Sequence, residues 1–262
     1  MQNILVATDF STRSDRALRR GSLLAGELNA SLTLVHVVDD DQPPYVIDRQ
    51  RAIASDMLSQ TAATIRQVDG VSARALTVGG DAFAGILQAA EEIDADLIVI
   101  GPHRRQLVDV FVGTTAERTI RRSRWPVLMA NGLPSGPYTR SLVAVDLDEV
   151  SEAAVVAAKK LSLLGPTEVV ALHLFDAPAL GMMRRTMGEP EALEHYRSVE
   201  EARAREELSA WLQDVGLERT RSVLRPWQGS PASLILSSAD EEHADLIVVG
   251  THQRKGLGRF FL

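Results

Sequence analysis

Residues 3–18, NILVATDFSTRSDRAL, and residues 141–155, SLVAVDLDEVSEAAV, decide the fold, because the chain says nearly the same thing twice. In each, a short apolar run rich in Val, Ile and Leu ends on an aspartate, Asp9 or Asp146. A polar turn follows, and then a helical pattern begins. The register persists downstream: Asp146 stands 137 residues after Asp9, and His173 stands 137 residues after His36. Beyond that the spacing is 149, from Gly80 to Gly229, Gly101 to Gly250 and His103 to His252. One shift of 12 between two constant registers is one insertion inside a duplicated domain. It falls between His173 and Gly229, near DAPALGMMRRTMGEP at residues 176–190.

The first copy alternates two kinds of segment. NILVAT, SLTLVHVV, ARALTV, DLIVIG and PVLMA are short and nearly all apolar, as strands buried on both faces are. Between them run segments of 3–4 residue periodicity, one through Ala17, Leu18, Leu24, Ala25 and Leu28, another through Ala54, Met57, Leu58, Ala62, Ile65 and Val68. Ser11 or Thr12 offers a cap to the first helix, and Gly70 a stop to the second. Strand–helix alternation of this kind predicts α/β architecture: two tandem doubly wound domains, each a mainly parallel five-stranded sheet with helices on both faces. The domains are expected at 1–131 and 140–262, joined by a linker at 132–139 within NGLPSGPYT.

Bulk properties exclude several functions. The 262 residues carry no cysteine, which removes disulfides and thiolate metal sites and fits a reducing compartment. The N-terminal MQNILVATDFS lacks the basic start and apolar core of a signal peptide, and no apolar run reaches the roughly 20 residues that span a bilayer. A cytoplasmic location is expected. Residues 1–137 hold 14 basic and 16 acidic side chains and the remainder 14 and 19, so neither half is a basic surface for nucleic acid. The run ERTIRRSRW at 117–125 groups Arg118, Arg121, Arg122 and Arg124, as a solvated helix face or as an anion or partner contact.

In an open parallel sheet a ligand sits beyond the carboxyl ends of the strands, where strand order reverses. Asp9 closes the first strand after Ala7, His36 and Val37 lie near the end of the second, and Gly101 closes the fourth. A helix opening near Gly113, Thr114 and Thr115 offers amides and a positive dipole end to an anion. Each residue also has a plain structural role open to it. Asp9 is placed to cap the first helix, His36 to hydrogen-bond within the core, Gly101 to make a tight turn, and Gly113-Thr114-Thr115 to start a helix.

The order ILVATDFS, LVHVVD, DLIVIGPHRR, GTTAERTIRRSRWPVLM resembles a universal stress protein domain, and residues 141–262 resemble a second. The resemblance covers nearly the whole chain, as in tandem members of that family. It implies an ATP-type nucleotide cleft using the Asp that ends the first strand, a Val after the His of the second, and a phosphate loop G-x-x-G-x9-G-[ST]. Carried over, the implied nucleotide-binding residues are Ala7, Asp9, Val37, Gly101, His103, Arg104, Gly113, Thr114 and Thr115. In the second domain they are Asp146, Leu174, Gly250 and His252. The loop departs from the pattern: Arg104 and Gln253 replace its second glycine, and eight residues rather than nine separate Arg104 from Gly113. A side chain there intrudes on the phosphate position, although a guanidinium can itself clamp phosphate.

Aligning GTHQRKGLGRFFL with GPHRRQLVDVFV, with one residue of the longer stretch unpaired, sets Leu262 opposite Val112. The second domain is therefore expected to lack its last helix and strand. The reading is of a domain truncated at its C-terminal end, with the natural protein running on; a degenerate second domain is the alternative.

No cysteine nucleophile, G-x-S-x-G elbow, G-x-x-x-x-G-K-[ST] loop or metal-spaced histidine cluster is present. No catalytic or metal residue is assigned. Three functions follow in order: a non-enzymatic stress-response protein with an altered nucleotide or metabolite cleft in domain 1; an interaction or dimerisation scaffold without nucleotide, acting through a dimer or the methionines Met182, Met183 and Met187; and a weak nucleotide hydrolase. The family resemblance implies a homodimer or an internal pseudo-dimer.

Overall fold

The computed structural model describes residues 1–102, 114–165, 168–178 and 190–251, and the chain divides into two compact units, Met1–Pro137 and Tyr138–Leu262.

In the first unit β1 (Asn3–Ala7), β2 (Ser31–Val38), β3 (Ala73–Gly79), β4 (Leu97–Ile100) and β5 (Val127–Met129) form a sheet of order β3-β2-β1-β4-β5, every neighbouring pair parallel. The connections are α1 (Ser14–Leu28), α2 (Pro44–Val68), α3 (Ala82–Glu92) and α4 (Thr115–Arg122). Both faces of the sheet are covered, which is why these strands read as continuous apolar runs. Leu5, Val35, Val78, Ile98 and Ile100 pack against Ile86, Ala89 and Ala90 of α3 and Ala116 of α4. Their neighbours Ile4, Val6, Leu32, Leu34, Leu97 and Val99 point the other way and are also buried. Strand order reverses between β1 and β4, and the carboxyl ends of strands at such a reversal are where open α/β sheets take ligands.

The second unit repeats the plan with β6 (Arg140–Val145), α5 (Glu149–Lys160), β7 (Glu168–Phe175), α6 (Pro190–Asp214), β8 (Arg221–Pro226), α7 (Pro231–Glu241) and β9 (Leu246–Val249). Its described strands form a four-stranded parallel sheet of order β8-β7-β6-β9. All four residues of β4, which pairs with β5, are buried, whereas in β9 Leu246 is buried and Val249 is 46% exposed. The insertion with Met182, Met183 and Met187, and the continuation after Thr251, lie outside the described residues.

Local expectations met the fold with two exceptions. Gly70, with φ of 67°, follows α2 as anticipated. The expected cap of α1 is weak: Ser11 Oγ takes the Ser14 amide only at 3.4 Å, and Thr12 makes no such bond. In α2 the buried stripe is Ala54, Leu58, Ala62 and Ile65. Met57 and Val68, which share the helical period, are 42% and 75% exposed, since a helix crossing a sheet buries a narrower stripe than its apolar residues span. We expect Leu58→Ala to lower stability by about 2–5 kcal/mol and Val68→Ala by less than about 0.5 kcal/mol in chemical denaturation. Similar losses for the two would mean that α2 sits in another rotation.

Candidate functional site

The mouth of the first unit is built from the turn after β1. Thr8 continues the pairing to β2, its amide donating to the Val35 carbonyl at 2.9 Å. Phe10 then adopts φ of 61°, a left-handed conformation uncommon for a bulky residue, and its amide donates to Thr8 Oγ1 at 3.0 Å. Thr8 Oγ1 also lies 2.9 Å from Ser14 Oγ, which donates to the Ser11 carbonyl at 2.8 Å. This small network holds the exposed Asp9 at the tip, where its Oδ1 accepts the Ser11 amide at 3.0 Å. Asp9 therefore closes its own turn and does not cap α1. Partial burial pushes its carboxyl up, but the Ser11 hydroxyl and amide, the Ser14 hydroxyl and its own amide outweigh that and hold it below the ordinary carboxylate range.

His36 supports the turn from behind. Its Nδ1 lies 2.8 Å from the Thr8 carbonyl oxygen, and its ring stands 4.5 Å from that of Phe10. His173 does the same in the second unit, with Nδ1 2.9 Å from the Val145 carbonyl oxygen. Leu147 likewise repeats the left-handed residue, with φ of 56°. Of the two roles open to His36, the structural one is thus filled in both copies.

Gly101 stands where β4 meets the start of α1. A Cβ there would lie 2.7 Å from the Arg13 carbonyl oxygen. In the second unit a Cβ on Gly250 would lie 2.8 Å from the Val150 carbonyl oxygen, the equivalent atom by the 137-residue register. Both glycines are required by the close approach of helix and strand, whether or not a ligand is near.

Ala7 and Val37 face the same side of the sheet and pack on the core beneath α3. Ala7 pairs with Val35, so Val37 stands two residues farther along β2, towards the carboxyl end of the sheet. The parallel β4–β5 connection brings the N-terminus of α4 to the same end. Thr114 there forms a capping box: its hydroxyl accepts the Glu117 amide at 3.1 Å, and Glu117 Oε2 accepts the Thr114 amide at 3.3 Å. The pattern T-x-x-E was visible in the chain and marks this cap. Thr115 is exposed. His103, Arg104, Gly113 and His252 lie outside the described residues.

The arginine run is tied to α3. Arg118 pairs with Asp81 at 2.9 Å and stacks 3.8 Å from the centre of the Phe83 ring, while Arg124 pairs with Glu91 at 2.5 Å and lies over Trp125. In the second mouth Asp146 is exposed, Leu174 packs on the core, and α5 is capped by Asp148, whose Oδ1 accepts the Ser151 amide at 2.8 Å. Among the described residues no cluster of His, Asp or Glu could hold a metal, and no helix is long and apolar enough to cross a membrane.

The lowered pKa of Asp9 gives a signed expectation. A carboxyl lowered on folding stabilises the fold above its unfolded value, near 3.8, and that contribution is lost as pH falls through the folded value. The stability advantage of the wild type over Asp9→Asn, read from melting curves, is expected at pH 7 and should vanish in stronger acid. An advantage that persists unchanged to pH 2 would contradict the turn network.

The sequence profile of the universal stress protein family matches residues 1–131 and again 137–262. A universal stress protein of Mycobacterium tuberculosis strain H37Rv is 25% identical over 277 aligned positions, spanning 97% of this chain and 88% of its own. The universal stress protein A homolog 1 of Coxiella burnetii is 27% identical over 135 residues, 48% of this chain and 94% of its own. The crystal structure of a universal stress protein from Archaeoglobus fulgidus superposes with a TM-score of 0.65 at 19% identity, covering 94% of this chain and 85% of that one, a likeness of fold. Two strand–helix units with the same turn, the same histidine and the same glycine contact, each matched by one profile, place this chain in the universal stress protein family as a tandem member.

Proposed function

We propose that this chain is a non-enzymatic stress-response protein that binds an adenine nucleotide of ATP type in the mouth of its first domain and passes on its occupancy through protein contacts. The observation that carries the reading is Asp9: an exposed carboxylate, kept ionised by its own turn, at the point where strand order reverses. A carboxylate there accepts hydrogen bonds from ribose hydroxyls or an exocyclic amine. Ala7 and Val37 give a base an apolar surface, Gly101 keeps the floor of the mouth low, and the N-terminus of α4 at Thr114 and Thr115 turns its positive end towards phosphate. In this reading His103, Arg104 and Gly113 complete the phosphate side, with the Arg104 guanidinium taking the place of a loop glycine. Asp146, Leu174, Gly250 and His252 are the matching positions of the second domain. The domains are taken as 1–131 and 140–262 with a linker between, the location as cytoplasmic, and the assembly as a homodimer or an internal pseudo-dimer.

A scaffold function without nucleotide is the second reading, and two observations favour it. The close approach to Arg13 accounts for Gly101, and the capping box occupies the Thr114 hydroxyl, so neither residue needs a ligand to explain it.

The test is to purify the protein without added nucleotide, denature it and identify released small molecules by mass spectrometry. Near-stoichiometric adenine nucleotide from the wild type, falling at least about tenfold in Asp9→Ala, is expected. Release of nothing, together with a melting temperature indifferent to millimolar ATP, would leave the scaffold reading.

A further inference from the structure

Val37 is held in place by an absence. A Cβ built on Gly85 of α3 would lie 2.6 Å from Val37 Cγ1 and 2.8 Å from Cγ2, so the helix can meet the strand here only through a glycine. Neither partner yields easily. The N-terminus of α3 is fixed by Asp81, whose Oδ1 accepts the Phe83 amide at 3.1 Å and whose Oδ2 takes Arg118 at 2.9 Å. Val37 is β-branched and stiff about χ1. A side chain at position 85 would therefore press on the Val37 methyls.

The second unit carries that side chain. The register of 149 that relates Gly80 to Gly229 sets Leu234 at the position of Gly85, and the register of 137 sets Leu174 at that of Val37. The equivalence holds in the helix itself: the Gly85 amide donates to the Asp81 carbonyl, as the Leu234 amide does to that of Ser230. Leu174 and Leu234 are both half-buried. By these registers two leucines stand at the positions held in the first unit by a valine and a glycine.

We infer that Gly85 is a positioning residue that keeps the Val37 wall clear of a bound base, and that the Leu174–Leu234 pair closes the second mouth, so that the chain holds one nucleotide rather than two. This rests on the nucleotide reading of the first mouth. It assigns the two halves different tasks: the first takes the ligand, and the second keeps the fold without the base position.

Calorimetric titration of the full chain with ATP and with CTP tests this. The wild type is expected to take one ATP per chain. Gly85→Ala should weaken ATP binding about tenfold, the size of effect expected of overpacking, and lower the ATP-to-CTP affinity ratio, because a purine reaches farther under the displaced wall. Residues in contact are coupled, so Gly85→Ala combined with Val37→Ala should bind ATP within about threefold of Val37→Ala alone. Two ATP per chain, an unchanged affinity or an unchanged base ratio in Gly85→Ala, or no relief in the double variant would each overturn the inference. The stoichiometry needs no variant and decides even where Gly85→Ala fails to fold. A wild type that binds no ATP is a distinct result: it removes the nucleotide reading, and this inference with it.

Discussion

A carbonyl oxygen at the start of a helix meeting a strand end with no side chain in the way is the contact on which each unit depends. Arg13 and Gly101 make it in the first unit, Val150 and Gly250 in the second. It lets α1 and α5 start hard against the sheet where strand order reverses, and so places the preceding turn over the mouth. The rest of that turn is shaped by the approach. Phe10 and Leu147 accept a left-handed backbone, and His36 and His173 brace the carbonyl oxygens of Thr8 and Val145. Left-handed backbone at a bulky residue costs free energy, and it persists in both copies because the surrounding contacts over-determine it. Asp9 is the exposed tip of this turn, whose hydrogen bonds hold its carboxyl below the ordinary range.

Duplication made much of this legible in the chain. Apolar runs bounded by aspartate and glycine located the strands, and the paired registers located the turn, the histidine and the glycine in both halves. Residue type and spacing carried these features because the sheet is buried on both faces and its ends are sharply defined. The roles of single residues were less accessible. Whether Asp9 caps a helix or closes a turn depends on a difference of about one hydrogen bond, which spacing does not decide. Met57 and Val68 fit the helical period of α2 yet lie outside the buried stripe, because period gives a face but not its width.

The Gly85–Leu234 exchange was hidden for another reason. A glycine in the first turn of a helix looks like a weak local choice until the strand residue it meets is known, and Val37 is 48 positions away in the chain. The repeat itself held the signal, since placing GDAFAGILQAA under GSPASLILSSA sets glycine against leucine while the flanking pattern is kept. The arginine run was legible as charge but not as structure. Arg118 and Arg124 are spent on Asp81 and Glu91, fastening α4 to α3.

In the function we propose, one copy of the shared turn serves a ligand and the other keeps the same architecture without one. The central claim is the location of the ligand, and a crystal structure of the full chain grown with saturating ATP tests it most directly. The account predicts density for one nucleotide in the first mouth, with a ribose hydroxyl or base amine within hydrogen-bond distance of the Asp9 carboxylate and the base against Val37, and none beside Leu174. An empty first mouth at saturation, or a nucleotide bound away from Asp9, would contradict it.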